Sequence, residues 1–244
     1  MSSEHRPLPV DRLAIVALFV TALVTAQLTA AKLLAFTLPF AVPVAGATLI
    51  LPGAALAYAL TFFASDCYAE LYGRRAAQEM VNVAFVMNFV VLALVWSTIA
   101  APAANPEFAA TFGNVLGASV NIVAGSLVAY VVSQNWDVVV FHRIREYTDG
   151  DHLWARNVGS TATSQFIDTV LFVGVAFYVL PVAGVNPDLG LPLLASAGPS
   201  VAALVVGQYV LKLLIALADT PFVYAVVAAV RSREAADRRL FAGE

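Results

Sequence analysis

The chain has 244 residues, of which 61% are hydrophobic and only 12% are charged. This composition is typical of a membrane protein and not of a soluble domain. The net charge is −3, and no basic patch of the kind that binds nucleic acid is present. The single cysteine, Cys67, excludes an internal disulfide and a cysteine-based zinc site.

Six apolar stretches follow one another along the chain, and each is long enough for a membrane-spanning helix of about 20 residues. We therefore predict an all-α polytopic protein whose transmembrane domain covers residues 13–230, between an N-terminal tail (1–12) and a charged C-terminal tail (231–244). Prolines and polar residues predict loops at 33–45, 101–113 and 181–194. The predicted spans are 13–31, 46–63, 80–100, 114–141, 157–180 and 196–230.

The arginines predict the orientation, because basic residues concentrate in cytoplasmic loops. All eleven arginines fall on one side of the six-span arrangement, and the three opposite loops contain none. We expect a multi-pass protein of the cytoplasmic membrane with both termini in the cytoplasm.

The fifth predicted span carries a carboxylate, Asp168. Thr161, Gln165, Asp168 and Phe172 share one helix face because they are three or four residues apart. An acidic residue at the centre of a membrane helix costs about 2.5–3.5 kcal/mol on insertion scales and seldom faces lipid. Asp168 is therefore either a ligand or proton site, or the structural partner of a lysine such as Lys212 in the sixth span.

Other polar groups in the spans also have two interpretations. Asp66 and Glu70 lie one turn apart at the cytoplasmic end of the second span, where like charges repel unless a cation such as Arg74 or Arg156 neutralises them. They form either an ion-paired helix end or a substrate site. Lys32 either binds a ligand or extends to the membrane surface. Asparagines such as Asn121 are more often hydrogen-bonding groups between helices.

One short pattern occurs twice. Ser133-Gln134-Asn135-Trp136-Asp137 and Ser164-Gln165-Phe166-Ile167-Asp168 both read Ser-Gln-x-x-Asp, and each is followed by phenylalanine four residues later. The repeat is either a coincidence in an apolar background or a pair of facing polar stripes on neighbouring helices.

The chain contains no His-Glu-x-x-His, Gly-x-Ser-x-Gly or phosphate-binding glycine loop. We therefore predict neither catalytic residues nor a metal or cofactor. A scaffold and an intramembrane enzyme remain as alternatives without positive support.

Several motifs, in order along the chain, resemble the queuosine precursor transporters, an integral membrane family once grouped with vitamin uptake transporters. The resemblance extends from Gln27 to Tyr224. It rests on Ala31-Lys32, on Ser65-Asp66-Cys67-Tyr68-Ala69-Glu70-Leu71-Tyr72-Gly73-Arg74, on Ser133-Gln134-Asn135-Trp136-Asp137, on Leu153-Trp154-Ala155-Arg156-Asn157 leading to Ser164-Gln165-Phe166-Ile167-Asp168-Thr169, and on Lys212 followed by Thr220-Pro221.

The resemblance implies import of 7-cyano-7-deazaguanine or 7-aminomethyl-7-deazaguanine for tRNA modification. It also implies a six-helix fold like the substrate-binding subunits of energy-coupling-factor transporters. The alternative function is such a subunit, dependent on separate ATPase partners. The expected partners are a nucleobase and the lipid bilayer, without nucleic acid, and a homo-oligomer is a further expectation.

A deazaguanine presents an N–H and an amine side by side, and one carboxylate can accept hydrogen bonds from both. Its carbonyl suits lysine or amide donors, and its flat face suits aromatic neighbours. Trp136, Phe166 and Tyr209 are the candidate stacking groups. The candidate substrate-binding residues are Gln27, Lys32, Asp66, Glu70, Asn121, Arg156, Gln165, Asp168 and Lys212.

Overall fold

The computed structural model describes residues 9–149, 153–186 and 201–242, with side chains described for all of these except 153–157 and 234–242. Helices dominate the fold, and one two-stranded antiparallel sheet accompanies them. The elements in chain order are α1 (Val10–Thr29), β1 (Leu33–Val42), β2 (Gly46–Pro52), α2 (Ala54–Tyr72), α3 (Arg74–Ala100), α4 (Pro106–Gly117), α5 (Ser119–Tyr147), α6 (Leu153–Gly174), a π-helix (Val175–Val179), α7 (Leu180–Val182) and α8 (Val201–Ala242).

Five segments of the described chain are long and apolar enough to cross a membrane, which confirms the predicted all-α polytopic class. The predicted second span is not among them, because Asp66, Glu70 and neighbouring polar groups lower the hydropathy of α2. The count of six spans therefore stays a prediction. The five segments are Val10–Thr29, Arg74–Ala100, Pro106–Tyr147, Val158–Val182 and Val201–Arg233.

The prediction was wrong around the second span. Residues 33–45, expected as a loop, form β1 and the turn after it, and residues 46–52, expected as helix, form β2. The β-branched residues Thr37, Val42 and Thr48 favour strands. Apolar content alone does not distinguish a strand from a buried helix.

The start of the fourth predicted span also differs from the prediction. The segment 101–113 was expected as a loop, but α4 begins within it at Pro106. The side chain of Asn105 caps this helix, accepting from the backbone amides of Glu107 and Phe108 at 3.1 Å each. A capping asparagine followed by proline at the first helical position is a recognised helix start, and it overrides the loop prediction.

The sixth predicted span, 196–230, is helical from Val201, and residues 187–200 lie outside the described part. α8 continues through Pro221 to Ala242. The helix thus includes much of the predicted C-terminal tail.

The chain forms two compact units. The first comprises Met1–Ala26, Ala54–Val91 and Lys212–Glu244, and the second comprises Gln27–Gly53 and Leu92–Leu211. The first unit has a core of apolar side chains from α1, α2, α3 and α8. These are Ile15, Phe19, Ala64, Cys67, Tyr68, Ala77, Met80, Ala84, Val223 and Val227.

Polar contacts at one end of the first unit join the start of α1 to the end of α2. The Arg12 guanidinium donates to the Tyr68 hydroxyl at 2.8 Å, and its Cζ lies 5.4 Å from the ring centroid of Tyr72. The Tyr72 hydroxyl donates to the Asp11 carboxylate. Arg231 of α8 donates to the backbone oxygen of Glu70 at 3.0 Å. Arg12 and Arg231 therefore both bond to the C-terminal part of α2.

In the second unit, α5 and α6 pack antiparallel along much of their length. Gly125 of α5 permits the close approach, because a Cβ there would lie 2.9 Å from the Cβ of Ala176 and 3.1 Å from the backbone oxygen of Phe172. The fully buried side chains beside this contact include Ile122, Val123, Val173 and Phe177.

The π-helix follows from Pro181, which has no N–H to donate. The amide of Leu180 bonds to the oxygen of Val175, five residues back. This leaves the backbone oxygen of Ala176 without its usual helical donor. The side-chain amide of Asn121 lies 3.5 Å from that oxygen.

We predict that Gly125→Ala destabilises the protein, since overpacking costs about 1–3 kcal/mol. Gly174→Ala is the matched control, because a Cβ at Gly174 meets nothing within 4 Å. Thermal unfolding in detergent should show a lower Tm for Gly125→Ala, by about 2–4 °C for each kcal/mol, and no decrease for Gly174→Ala. Equal Tm values for the two variants would contradict the close α5–α6 contact.

Candidate functional site

Two serine–carboxylate hydrogen bonds cross between α5 and α6. The hydroxyl of Ser133 donates to Asp168 at 3.2 Å, and the hydroxyl of Ser164 donates to Asp137 at 3.1 Å. Each helix thus supplies one serine and one aspartate, and each serine bonds to the aspartate of the other helix. We call these four residues the Ser–Asp seam.

The repeated Ser-Gln-x-x-Asp pattern explains this reciprocity. In two antiparallel helices, residue numbers rise along one helix as they fall along the other. A serine four residues before an aspartate on both helices therefore brings each serine to the opposite aspartate. Of the two interpretations left open by the sequence, the structure supports facing polar stripes.

The seam lies within membrane-spanning segments, and its serines are buried while its carboxylates are half-buried. Asp168 is twelve residues beyond Arg156, or about 18 Å along a helix. Asp137 is five residues before His142, or about 8 Å. The two carboxylates therefore lie at different depths, and Asp137 is nearer the arginine-bearing helix ends.

Aromatic side chains lie next to the seam. The Trp136 indole donates to the Thr163 hydroxyl at 3.2 Å. The Tyr209 hydroxyl of α8 donates to the backbone oxygen of Ala162 at 3.2 Å, and its ring meets Phe166 edge to face with centroids 5.5 Å apart. All three predicted stacking residues are therefore in the second unit and contact α6 or belong to it.

Gln165 lies one turn before Asp168, and its side-chain oxygen is buried. That oxygen has no hydrogen-bond partner among the residues that the structure describes. A buried acceptor without a donor costs about 1–3 kcal/mol and calls for an explanation such as a ligand or water. Gln27 of the same unit is 2% exposed. Its side-chain oxygen and the hydroxyl of Ser126 are also buried without a hydrogen-bond partner among the described residues.

Asn121, also predicted to bind substrate, is used by the fold. Its amide donates to the backbone oxygen of Val185 at 2.8 Å, and its oxygen accepts from the Asn186 amide at 3.0 Å. It is fully buried. These contacts favour the interhelical role that was its other interpretation.

The first unit contains three other predicted residues. Asp66 and Glu70 are exposed on α2, and Lys212 is half-buried on α8. Arg231 lies 4.0 Å from the Glu70 carboxylate, with both side chains about 60% exposed. The sequence suggested Arg74 or Arg156 as the cation near Glu70, whereas the described side chains place Arg231 beside it. An exposed pair of this kind contributes about 0–1 kcal/mol.

The remaining predicted residues are Lys32 and Arg156. Lys32 is exposed in the bend between α1 and β1, and its backbone oxygen accepts from the Gly53 amide at 2.6 Å. The side chain of Arg156 lies outside the described part of α6. The role of each in substrate binding stays a prediction.

Asp137, Ser133 and Ser164 were not among the predicted site residues. The repeated motif contained the signal, but one sequence could not show that its two copies face each other. Within the described residues, no group of three or more His, Cys, Asp or Glu side chains could hold a metal ion.

Comparison with known proteins gives one family match. Residues 52–226 match the family model described as "Putative vitamin uptake transporter". The chain belongs to this family. It is also 32% identical over 174 residues to a protein of Bacillus subtilis (strain 168) named "Probable queuosine precursor transporter", covering 69% of this chain and 68% of that protein. No solved structure matches the chain.

The family match includes the whole Ser–Asp seam, together with Asp66, Glu70, Asn121, Arg156, Gln165 and Lys212. Gln27 and Lys32 precede it. The resemblance to transporters inferred from short motifs is thus confirmed at the level of the family.

Double-mutant cycles test the seam. We predict that Ser133→Ala with Asp168→Asn, and Ser164→Ala with Asp137→Asn, are non-additive in unfolding free energy by about 0.5–3 kcal/mol. The exchanged combinations, Ser133→Ala with Asp137→Asn and Ser164→Ala with Asp168→Asn, are the controls and should show smaller coupling. Equal coupling in all four cycles would contradict the reciprocal pairing.

Replacement of Asn121 tests its structural role. We expect Asn121→Ala to lower stability by about 1–3 kcal/mol, because two backbone acceptors and Asn186 lose a partner. Asn135→Ala is the control, since the Asn135 amide bonds only to its own helix at Val131 among the described contacts and is exposed. A stable Asn121→Ala protein with impaired uptake would instead place Asn121 in substrate binding.

Proposed function

We propose that the protein imports a 7-deazaguanine precursor of queuosine or archaeosine across the cytoplasmic membrane, with both termini in the cytoplasm. The observation that carries this proposal is the Ser–Asp seam in a member of a transporter family. Beside the seam lies the buried side-chain oxygen of Gln165, which has no hydrogen-bond partner among the residues that the structure describes. The name of the Bacillus subtilis relative supports the substrate class. Membership of a transporter family also supports a role other than catalysis.

The chemistry of the second unit suits this ligand. Three buried side-chain oxygens of this unit, at Gln27, Ser126 and Gln165, have no hydrogen-bond partner within the described part of the chain, and each can accept a hydrogen bond. A 7-deazaguanine presents three donor groups: the ring N–H beside the carbonyl, the exocyclic amine and the pyrrole N–H. A donor-rich ligand is therefore a better match than one that presents only acceptors.

Within the proposed site, Asp168 accepts from the adjacent ring N–H and exocyclic amine. Gln165, on the same face of α6, accepts through its side-chain oxygen and can donate through its amide to the carbonyl of the base. Phe166 or Trp136 supplies an aromatic surface against the ring. Ser133 holds the Asp168 carboxylate in position before the ligand arrives, which reduces the ordering that binding requires.

The depth of the seam supports transport more than static binding. Asp137 and Ser164 repeat the Asp168–Ser133 arrangement one helical turn, about 6 Å, nearer the arginine-bearing ends. Two equivalent acceptor groups along one seam give a base successive positions of similar chemistry.

The test measures uptake of labelled 7-cyano-7-deazaguanine and 7-aminomethyl-7-deazaguanine by cells that lack other uptake routes. We predict that Asp168→Asn raises the half-saturating concentration about 10- to 100-fold, the effect of losing roughly 1.5–3 kcal/mol of charge-assisted hydrogen bonding. Glu79→Gln is the control, because Glu79 forms an exposed ion pair with Arg75 on α3. Glu70→Gln tests a second carboxylate among the predicted substrate-binding residues.

Normal uptake by Asp168→Asn at normal membrane levels would remove Asp168 from the site. Uptake that requires added ATPase partners would favour the alternative, an energy-coupling-factor-type binding subunit. If the chain alone binds the base saturably but does not transport it, the result would also favour the energy-coupling-factor-type binding subunit.

A further inference from the structure

The β1–β2 hairpin, Leu33–Pro52, is apolar and partly exposed, which is unusual for a loop in water. It directly follows the apolar helix α1 and precedes α2. From residue 33 to residue 65 the sequence contains no charged residue and no histidine. A loop that extends into water ordinarily contains charged or polar turn residues.

The base of the hairpin is fixed to the protein. Leu49, Ile50 and Leu51 of β2 are buried, and a Cβ at Gly207 of α8 would lie 2.9 Å from the backbone oxygen of Ile50. The Gly53 amide donates to the oxygen of Lys32 at 2.6 Å and closes the base. The hairpin therefore extends from an anchored base.

The middle of β1 carries a large apolar bulge. Pairing is regular from Leu33–Pro52 to Thr37–Thr48 and resumes only at Val42–Gly46, so four residues of β1, 38–41, face a single residue of β2. All four are apolar, and Phe40 is 62% exposed. Phenylalanine on an exposed bulge has no stabilising contact in water but would be favourable in lipid.

The turn itself also lacks polar side chains. Its residues are Val42, Pro43, Val44, Ala45 and Gly46. Val44 has φ of 70°, and the Ala45 amide bonds to the Pro43 oxygen at 2.8 Å, which is the strained form of a three-residue turn. Glycine or asparagine would adopt this conformation more easily, yet a 69% exposed valine occupies it.

The exposure of Phe40 and Val44 resembles that of apolar residues on the outer faces of the spanning helices. Leu94 of α3 is 63% exposed and Leu217 of α8 is 75% exposed. In a polytopic membrane protein, such faces are covered by lipid. A second protein strand fits β1 poorly, because the bulge interrupts its edge and Pro39 has no N–H to offer.

We propose that the tip of the hairpin, residues 38–46, inserts into the lipid bilayer at the level where acyl chains meet headgroups. This level supplies apolar surroundings for Phe40 and Val44 and still allows water to reach the backbone groups of the open strand edges, which cannot be left unsatisfied in the hydrocarbon centre. The partner is the membrane lipid itself. The inference does not depend on which substrate is carried.

The test places a fluorescent NBD label at the tip of the full-length protein in phosphatidylcholine–phosphatidylglycerol vesicles. The background is Cys67→Ser, since Cys67 is the single cysteine and is buried. Val44→Cys and Phe40→Cys report the tip, and Ala104→Cys in the exposed linker before α4 is the control. The label is then quenched either by iodide in the water or by lipids with a shallow doxyl group.

We expect labels at positions 44 and 40 to be quenched several-fold more by doxyl lipid, and less by iodide, than the label at position 104. Iodide quenching at positions 44 and 40 equal to that at 104 would overturn the proposal, because the tip would then be in water. Weak quenching by both reagents would also overturn it, since a protein surface would then cover the tip. Two independent tip positions keep the test decisive if one labelled variant does not fold.

Discussion

Hydrogen bonds between two serines and two aspartates hold together the part of this protein on which its function is proposed to depend. A carboxylate on an apolar membrane helix requires a donor from within the protein. Ser133 provides it for Asp168, and Ser164 provides it for Asp137. Because the donors come from opposite helices, the polar groups that are costly in a membrane also fix the register of α5 against α6.

That register depends in turn on close packing and on a local departure from α-helix. Gly125 lets the two backbones approach, and Asn121 bonds to backbone oxygens of the opposite chain segment, one of them left without its helical donor by Pro181. A larger residue at Gly125 would separate the helices at one end of the seam. The seam is therefore supported by packing that is not itself polar or functional.

The same unit combines satisfied and unsatisfied polar groups. Asn121 uses both ends of its amide within the fold, whereas Gln165 and Gln27 leave buried oxygens without partners among the described residues. The three amides look alike in the sequence, and the difference between them lies in their neighbours in the structure.

The sequence by itself determined the membrane class, most helical segments and the transporter resemblance, because composition, apolar length and short motifs act locally along the chain. It did not determine the hairpin at Leu33–Pro52, since an apolar run fits a strand as well as a helix. Only the tertiary structure decided that the two Ser-Gln-x-x-Asp motifs face each other, that Asp137 joins Asp168, and that Asn121 supports the fold. These outcomes depend on contacts between residues 27 to 65 positions apart in the chain, and such contacts arise from helix packing and not from local sequence.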